Sequence, residues 1–231
     1  MNKLDFAIIR EERKIENIKN VEHALKTKDI SIIKKECNIK ELTRILLHLE
    51  LTFEQLLEQC DHPYFSKLLY STVSKAASRQ SMTDELLMIT RCNEIGSLYN
   101  VKVRNLSNTA FRPTKCGKIV SKKMMKKQNL TLLDCLKSFD AKITGQIKGW
   151  MICKISYSKG GFQDSVFEEI KTLCEWVSTY GKRTDIYVFL IESDSTEKIQ
   201  QLKRQYKRKN ILITNVEGYQ TYLEKNLNIK L

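Results

Sequence analysis

KSFDAKITGQIKGWMICKISYSKGGFQDSVFEE, residues 137–169, is the stretch on which the reading of this chain turns. SFDAKIT (138–144) and GWMICKISY (149–157) are rich in β-branched and aromatic residues and have strand length, so they predict two neighbouring strands. Alternation puts Ser138, Asp140 and Lys142 on one face of the first strand and Phe139, Ala141 and Ile143 on the other. On the second strand Trp150, Ile152, Lys154 and Ser156 share a face, which makes Lys154 a charge inside a run that otherwise reads as buried. Such a lysine needs an anionic partner, and Asp140 is the near candidate. Gly160, Gly161, Phe162, Gln163 and Asp164 then read as a turn whose glycines allow close backbone approach, with a helix opening at 165. Its core stripe is Val166, Ile170, Leu173 and Val177. Glu169 lies about 100° from the centre of that stripe and can look back toward the sheet, whereas Glu168 lies nearly opposite the core.

Working outward, VKVRNLS (101–107), DIYVFLIE (185–192) and NILITN (210–215) are further strand candidates. Amphipathic helices are expected at 165–179, 195–207 and 216–226. A helix over TDELLMITRCNEIGSLY (83–99) is expected to begin behind Ser81 and Thr83 as caps, with Asp84 and Glu85 favoured in its first turn by the dipole. Residues 3–75 read as helix after helix, Leu42, Ile45, Leu46 and Leu49 recurring at helical spacing. The expected fold class is α/β: a mixed β-sheet flanked by helices on both faces, with an α-helical N-terminal region. DIYVFLIE, almost continuously apolar, is expected at the sheet's centre.

Forty Lys and Arg against 27 Asp and Glu give a net charge of +13, so an anionic partner, nucleic acid or a membrane surface, is the natural inference. The seven cysteines form no CxxC pair and read as reduced, mostly buried thiols of a cytoplasmic protein. No run approaches the length needed to span a bilayer, so no membrane partner is expected. His23, His48 and His62 all lie in the helical N-terminal part, away from the strands, which argues against a His-based site. No Walker loop, Rossmann glycine signature, HEXXH or nucleophile elbow is present, and no organic cofactor is expected.

The chemistry-bearing residues are therefore the acid and the lysine. Metal-assisted phosphodiester hydrolysis needs carboxylates to fix Mg²⁺ and a cation to balance charge growing on the phosphate. Asp140 suits the first role and Lys154 the second, with a second acid from Asp164, Glu169 or the upstream helix. A salt bridge between Asp140 and Lys154 is the plain alternative, as an N-cap is for Asp164. Arg79, Gln80, Arg104 and Arg112 suit phosphate or guanine contacts, though solvated surface explains each singly. The basic runs Lys122, Lys123, Lys126, Lys127 and Lys203, Arg204, Lys207, Arg208, Lys209 are placed on helices, as solvated faces or phosphate contacts.

Over roughly residues 80–215, the order of elements resembles the PD-(D/E)xK superfamily of Type II restriction endonucleases. SFD140 stands in place of the usual Pro-Asp, ICK154 supplies the lysine, and GGFQD (160–164) looks like the Gly-Gly-x-Gln-Asp segment of members with a degenerate motif. SRQSMTDE (78–85) and NLSNTAFRPT (105–114) also look like segments found before that motif. The motif acid two residues before the lysine is Ile152 here. In some such families that acid has migrated to the following helix, which lands on Glu168 or Glu169, and facing favours Glu169. The resemblance implies a helical region at 1–77 for DNA binding or dimerisation and a nuclease domain at 78–231. It implies Mg²⁺-dependent, sequence-specific cleavage of double-stranded DNA by a homodimer. Asp140, Lys154, Glu169, Asp164 and Glu85 would be the catalytic set, with Asp140, Asp164 and Glu169 on the metal. Arg79, Gln80, Arg104, Arg112 and Gln163 would be the DNA contacts. A repair or junction nuclease of the same fold and a catalytically silent DNA-binding module are the alternatives.

Overall fold

The structure is a computed structural model describing the backbone of residues 5–60, 62–74, 76–106, 111–157 and 161–227, and their side chains apart from residues 7, 63, 76–82 and 161–163. The chain divides into two compact units, Met1–Thr83 and Asp84–Leu231. The first is helical, as the periodicity predicts: α1 (Phe6–Thr27), α2 (Ile30–Glu36), α3 (Ile39–Leu49), α4 (Phe53–Gln59) and α5 (Pro63–Val73). Orphan N–H groups at the starts of the short helices are taken by Asp29 for α2, Asn38 for α3, and a reciprocal Thr52–Gln55 pair for α4. Val21, Leu25, Leu56, Leu69 and Val73 meet in one apolar core.

The helix α6 (Ala76–Ser97) begins well before Ser81 and Thr83, which therefore do not cap it. Its first residues, AASRQSM, include good helix formers that carry the helix upstream of the expected start. Asp84 and Glu85 consequently stand in its interior, beyond reach of a first-turn dipole.

In the second unit the strands are β1 (Val101–Asn105), β2 (Phe111–Pro113), β3 (Ile119–Ser121), β4 (Ala141–Gly145), β5 (Gly149–Ser156), β6 (Ile186–Ser193) and β7 (Ile211–Thr214). Five form a mixed sheet in the order β1-β4-β5-β6-β7, antiparallel through β1, β4 and β5 and parallel through β5, β6 and β7. Two antiparallel steps need only turns, whereas the parallel steps require crossovers. These are α8 (Gly161–Tyr180) and α9 (Thr196–Gln205), and α10 (Val216–Asn226) follows β7.

The sheet's middle strand is β5, not β6. Every residue of β5 except Lys154 is buried, so one charge interrupted an apolar run that otherwise matches that of β6. On one face Trp150, Ile152, Tyr187 and Phe189 pack with Ile170, Leu173 and Val177 of α8 and Leu202 of α9. Met151, Cys153, Val188 and Leu190 are buried on the other, where Cys92 of α6 lies within electrostatic reach of both Cys153 and Tyr219 of α10. Helices thus cover both faces, and the α/β class holds.

The β2–β3 hairpin had no counterpart in the sequence reading. It lies between β1 and β4, followed by α7 (Lys122–Lys127), the helix expected for that basic run, and a 3₁₀ turn at Leu132–Asp134. Trp176 of α8 donates its indole N–H to the Thr114 carbonyl at 2.7 Å, which anchors the hairpin.

The turn joining β4 to β5 has a glycine at each end. Gly145 adopts φ +110°, and a Cβ on Gly149 would stand 1.8 Å from the Ile186 carbonyl oxygen. That obstacle is backbone in a paired strand and cannot step aside. Gly149→Ala is expected to lower stability by roughly 1–3 kcal/mol, read as a reduced urea midpoint at unchanged m-value; an unchanged midpoint would contradict this packing.

Candidate active site

The antiparallel ladder between β4 and β5 stops at Ala141, paired with Met151. One residue earlier the Asp140 N–H still donates to the Met151 carbonyl at 3.0 Å, but its side chain then takes over. Asp140 Oδ2 accepts the Cys153 N–H at 2.8 Å, so a carboxylate serves a main-chain group that a longer β4 would have bonded. Asp140 therefore sits just before the strand, where β4 and β5 part, and not on β4 itself. Its main-chain carbonyl accepts from Leu106 N at 2.8 Å, which ties the same point to the end of β1.

Lys154 lies on the α8 face of β5 with only 12% of its side chain exposed. Its partner is Glu169, with Nζ 3.0 Å from Oε1; Asp140, the partner expected from sequence, acts on it only through its field. The two charged groups are at hydrogen-bonding distance, and no other described residue donates to Oε1. Glu169 Oε2 stands 3.2 Å from Lys137 Nζ, so the carboxylate bridges two lysines. Glu168 is 71% exposed, with Lys171 at 3.8 Å.

Glu85 approaches from α6, on the opposite side of the sheet. Burial and then the negative charge of Asp140 push its carboxyl up to about 7, against the pull of Lys154 and Lys137. Burial likewise raises Asp140, opposed first by Lys154 and then by the Cys153 N–H. For Lys154, burial works against the charged form, but Glu169, Asp140 and Glu85 together outweigh it and hold the ammonium above its ordinary range. Three acids thus share a partly enclosed space with two lysines, and burial first, then the charge of Asp140, strengthens the hold of Glu85 on its proton.

The other candidates stand elsewhere. The helix α8 starts at Gly161, earlier than expected, because Phe162, Gln163 and Asp164 continue it instead of forming a turn. Asp164 is then five residues before Glu169, about 140° away around the helix, and pairs with Lys198 of α9 in an exposed position. Asp164 is neither an N-cap nor part of the cluster. Arg104 is exposed on β1, opposite Lys142. Arg112 is half-buried and donates to the Leu136 carbonyl at 3.1 Å, which supports the segment leading to Asp140. The side chains of Arg79, Gln80 and Gln163, and Gly160 altogether, lie outside the described residues.

Of the basic runs, that on α7 is helical and exposed, but Lys207, Arg208 and Lys209 follow the end of α9. Arg208 turns inward to the Val177 and Ser178 carbonyls. Sequence reasoning missed Lys137. It stands in an irregular segment between Cys135 and β4, where no periodicity assigns a direction, and Phe139 N–H to Phe111 O at 3.0 Å and Leu136 N–H to Pro113 O at 2.8 Å hold that segment against β2.

The donors in the cluster are all carboxylate oxygens, the ligands that hard divalent cations prefer. Among the described residues, Glu169 Oε1 is buried with only the Lys154 ammonium to donate to it, and Asp140 Oδ1 accepts no hydrogen bond. Among the described residues no group of three His, Cys, Asp or Glu side chains converges as a metal cage. Mg²⁺ is commonly held by one or two carboxylates and otherwise by water, so Asp140 and Glu169 fit it. No protein-family model, curated protein or solved structure matches the chain. No helix among the described residues is long and apolar enough to cross a membrane.

The Glu85 environment has a measurable consequence. Its folded pKa near 7 exceeds the ordinary value of 4.5, so the stability it contributes is present below about pH 4.5 and is lost as pH rises through 7. In EDTA, Glu85→Gln is expected to melt with the parent near pH 4.5 and above it at pH 8. Parallel melting curves at both pH values would contradict the assignment.

Proposed function

We propose that this chain is a Mg²⁺-dependent endodeoxyribonuclease of the Type II restriction class, with a nuclease fold like that of the PD-(D/E)xK superfamily. The observation that carries the reading is the meeting of Asp140, Lys154 and Glu169 where β4 and β5 part. Asp140 stands just before β4, Lys154 on β5 and Glu169 on the helix that follows, close to where the resemblance expects an aspartate, a lysine and a migrated acid. Ile152, at the usual position of that acid, is 2% exposed and belongs to the core between β5 and α8. Glu169 approaches Lys154 from outside the strand and supplies the carboxylate that Ile152 does not.

Each residue then has a task. The Cys153 N–H fixes the Asp140 carboxylate, leaving Oδ1 for a ligand. Lys154, kept charged by its acidic neighbours, can donate to a non-bridging phosphate oxygen or to the attacking water. Glu169 orients Lys154 and shares the cation site with Asp140. A bound Mg²⁺ supplies Lewis acidity toward the phosphate and a water of lowered pKa. The net charge of +13 favours the approach of DNA, and a homodimer suits cleavage of both strands.

A silent DNA-binding module is the second reading, favoured by the double occupation of Glu169 by Lys137 and Lys154. Incubation with a large plasmid and Mg²⁺ separates the readings. Discrete fragments support restriction activity, a smear supports a general nuclease, and an intact plasmid with a gel shift supports the silent module. On a cleaved substrate, Asp140→Ala and Lys154→Ala are each expected to reduce the rate by about 10³-fold or more while DNA binding persists. Glu169→Gln is expected to lose far more activity than Glu168→Gln; the reverse order would remove Glu169 from the site.

A further inference from the structure

At the far end of the sheet, the segments that feed β5, β6 and β7 border an open cavity of about 320 Å³. It lies at the first residues of the three parallel strands. Lys148 on its wall is six residues before Lys154, a separation of about 20 Å along an extended strand.

Three cations from three separate connections line it: Lys148 between β4 and β5, Arg183 between α8 and β6, and Lys209 between α9 and β7. Asp185 is the one carboxylate on the wall, and its Oδ1 accepts from the Thr184 hydroxyl at 3.4 Å. None of the three cations has an ion-pair partner among the described residues, although other exposed lysines do, as in Lys26–Glu22 and Lys198–Asp164. Three cations thus outnumber the single Asp185 carboxylate, and this excess of positive charge favours an added anion.

The walls are also fixed. Ile186 N–H donates to the Lys148 carbonyl at 2.8 Å, Tyr187 N–H to the Asn210 carbonyl at 2.8 Å, and Asp185 N–H to the Lys182 carbonyl at 3.1 Å. The Asn210 amide closes the ring by donating to Lys182 O at 3.2 Å. The three basic connections are thereby tied to the sheet and to each other. Tyr222 also lines the cavity, and burial raises its phenol above the ordinary range, so it keeps its proton and remains a donor. A guanidinium fork, two ammonium groups and a phenol suit a compact, multiply charged oxyanion, and the volume is that of a small-ligand site.

We propose that this cavity is a phosphate-binding site, distinct from the Asp140–Lys154 cluster, which takes the phosphate of a nucleotide, either free or within a polynucleotide backbone. It uses none of the residues assigned to hydrolysis and holds whether or not that centre cuts DNA.

The test uses the full chain carrying Asp140→Asn, so that no substrate is consumed. The triple substitution Lys148→Gln, Arg183→Gln, Lys209→Gln is compared with Lys122→Gln, Lys123→Gln, Lys126→Gln, which removes the same charge from α7. Circular dichroism and melting confirm that both sets are folded. Calorimetric titration with inorganic phosphate and with AMP reads the free-nucleotide source, and anisotropy of a labelled DNA duplex over a salt series reads the backbone source.

For a free nucleotide, AMP binding weakens at least tenfold in the cavity variant alone. For a backbone phosphate, AMP binds feebly throughout, but duplex affinity falls about tenfold in the cavity variant and its log–log salt slope shrinks by about 0.9. Equal losses in the α7 variant, losses within twofold for the cavity variant, or no binding of any of these ligands by the parent would each overturn the proposal. An unsubstituted chain that leaves plasmid intact, alongside AMP binding of this kind by the Asp140→Asn parent, would sink only the nuclease reading.

Discussion

Burial of the Lys154 ammonium is the constraint around which the second unit is arranged. An uncompensated charge at this depth costs several kcal/mol, far more than a surface ion pair returns. The charge therefore dictates what α8 presents to β5. The apolar stripe of Ile170, Leu173 and Val177 and the approach of Glu169 to Lys154 are satisfied by one and the same rotation of the helix. Turning α8 by a single residue to bring in Glu168 would lift that stripe off the sheet. Packing and electrostatics thus select one register, and Lys137 completes it by neutralising the outer oxygen of Glu169.

A second constraint acts where β4 ends. The Cys153 N–H lies within the sheet and must be bonded, and the Asp140 side chain does this in place of a ladder carbonyl. Strand separation is therefore achieved without leaving an orphan donor, and the carboxylate is held by the feature that creates the opening. The β2–β3 hairpin supports the arrangement by bonding Leu136 and Phe139, on either side of Lys137. Carboxylates then reach the opening from both faces of the sheet, Glu169 from α8 and Glu85 from α6. Burial, and after it the negative charge of Asp140, explains why Glu85 holds its proton up to about pH 7.

Much of this was legible in the sequence because its signals were long. Strand runs with period-2 alternation and the 3.6-residue stripe of α8 carry enough residues to identify the elements, and the same helical geometry is enough to separate Glu169 from Glu168. The β2 and β3 strands, three residues each, are too short to show a period. The starts of α6 and α8 were misplaced because Ser81, Thr83 and the Gly160–Gly161 pair resemble stop and start signals, although the chain is helical through Ser81 and Thr83 and from Gly161 onward. Those errors gave Asp164 the N-cap alternative and put Glu85 in a first turn. Lys137 had no legible signal, since its direction is set by hydrogen bonds to a hairpin that the sequence did not reveal.

The charge distribution brings these parts together. A net charge of +13 attracts a polyanion to the protein as a whole, whereas the cluster at the opening holds three acids against two lysines. With Glu85 holding its proton up to about pH 7, Asp140 and Glu169 balance the two lysines, so the local field adds little to the long-range one. Under the proposed function this balance is useful. Without a divalent cation Glu169 occupies Lys154, and the centre is self-neutralised. A divalent cation held by Asp140 and Glu169 would make the local field positive and free Lys154 for the phosphate, so that the two fields would act together. The dependence of activity on a cation would then be built into the sharing of one carboxylate by two lysines.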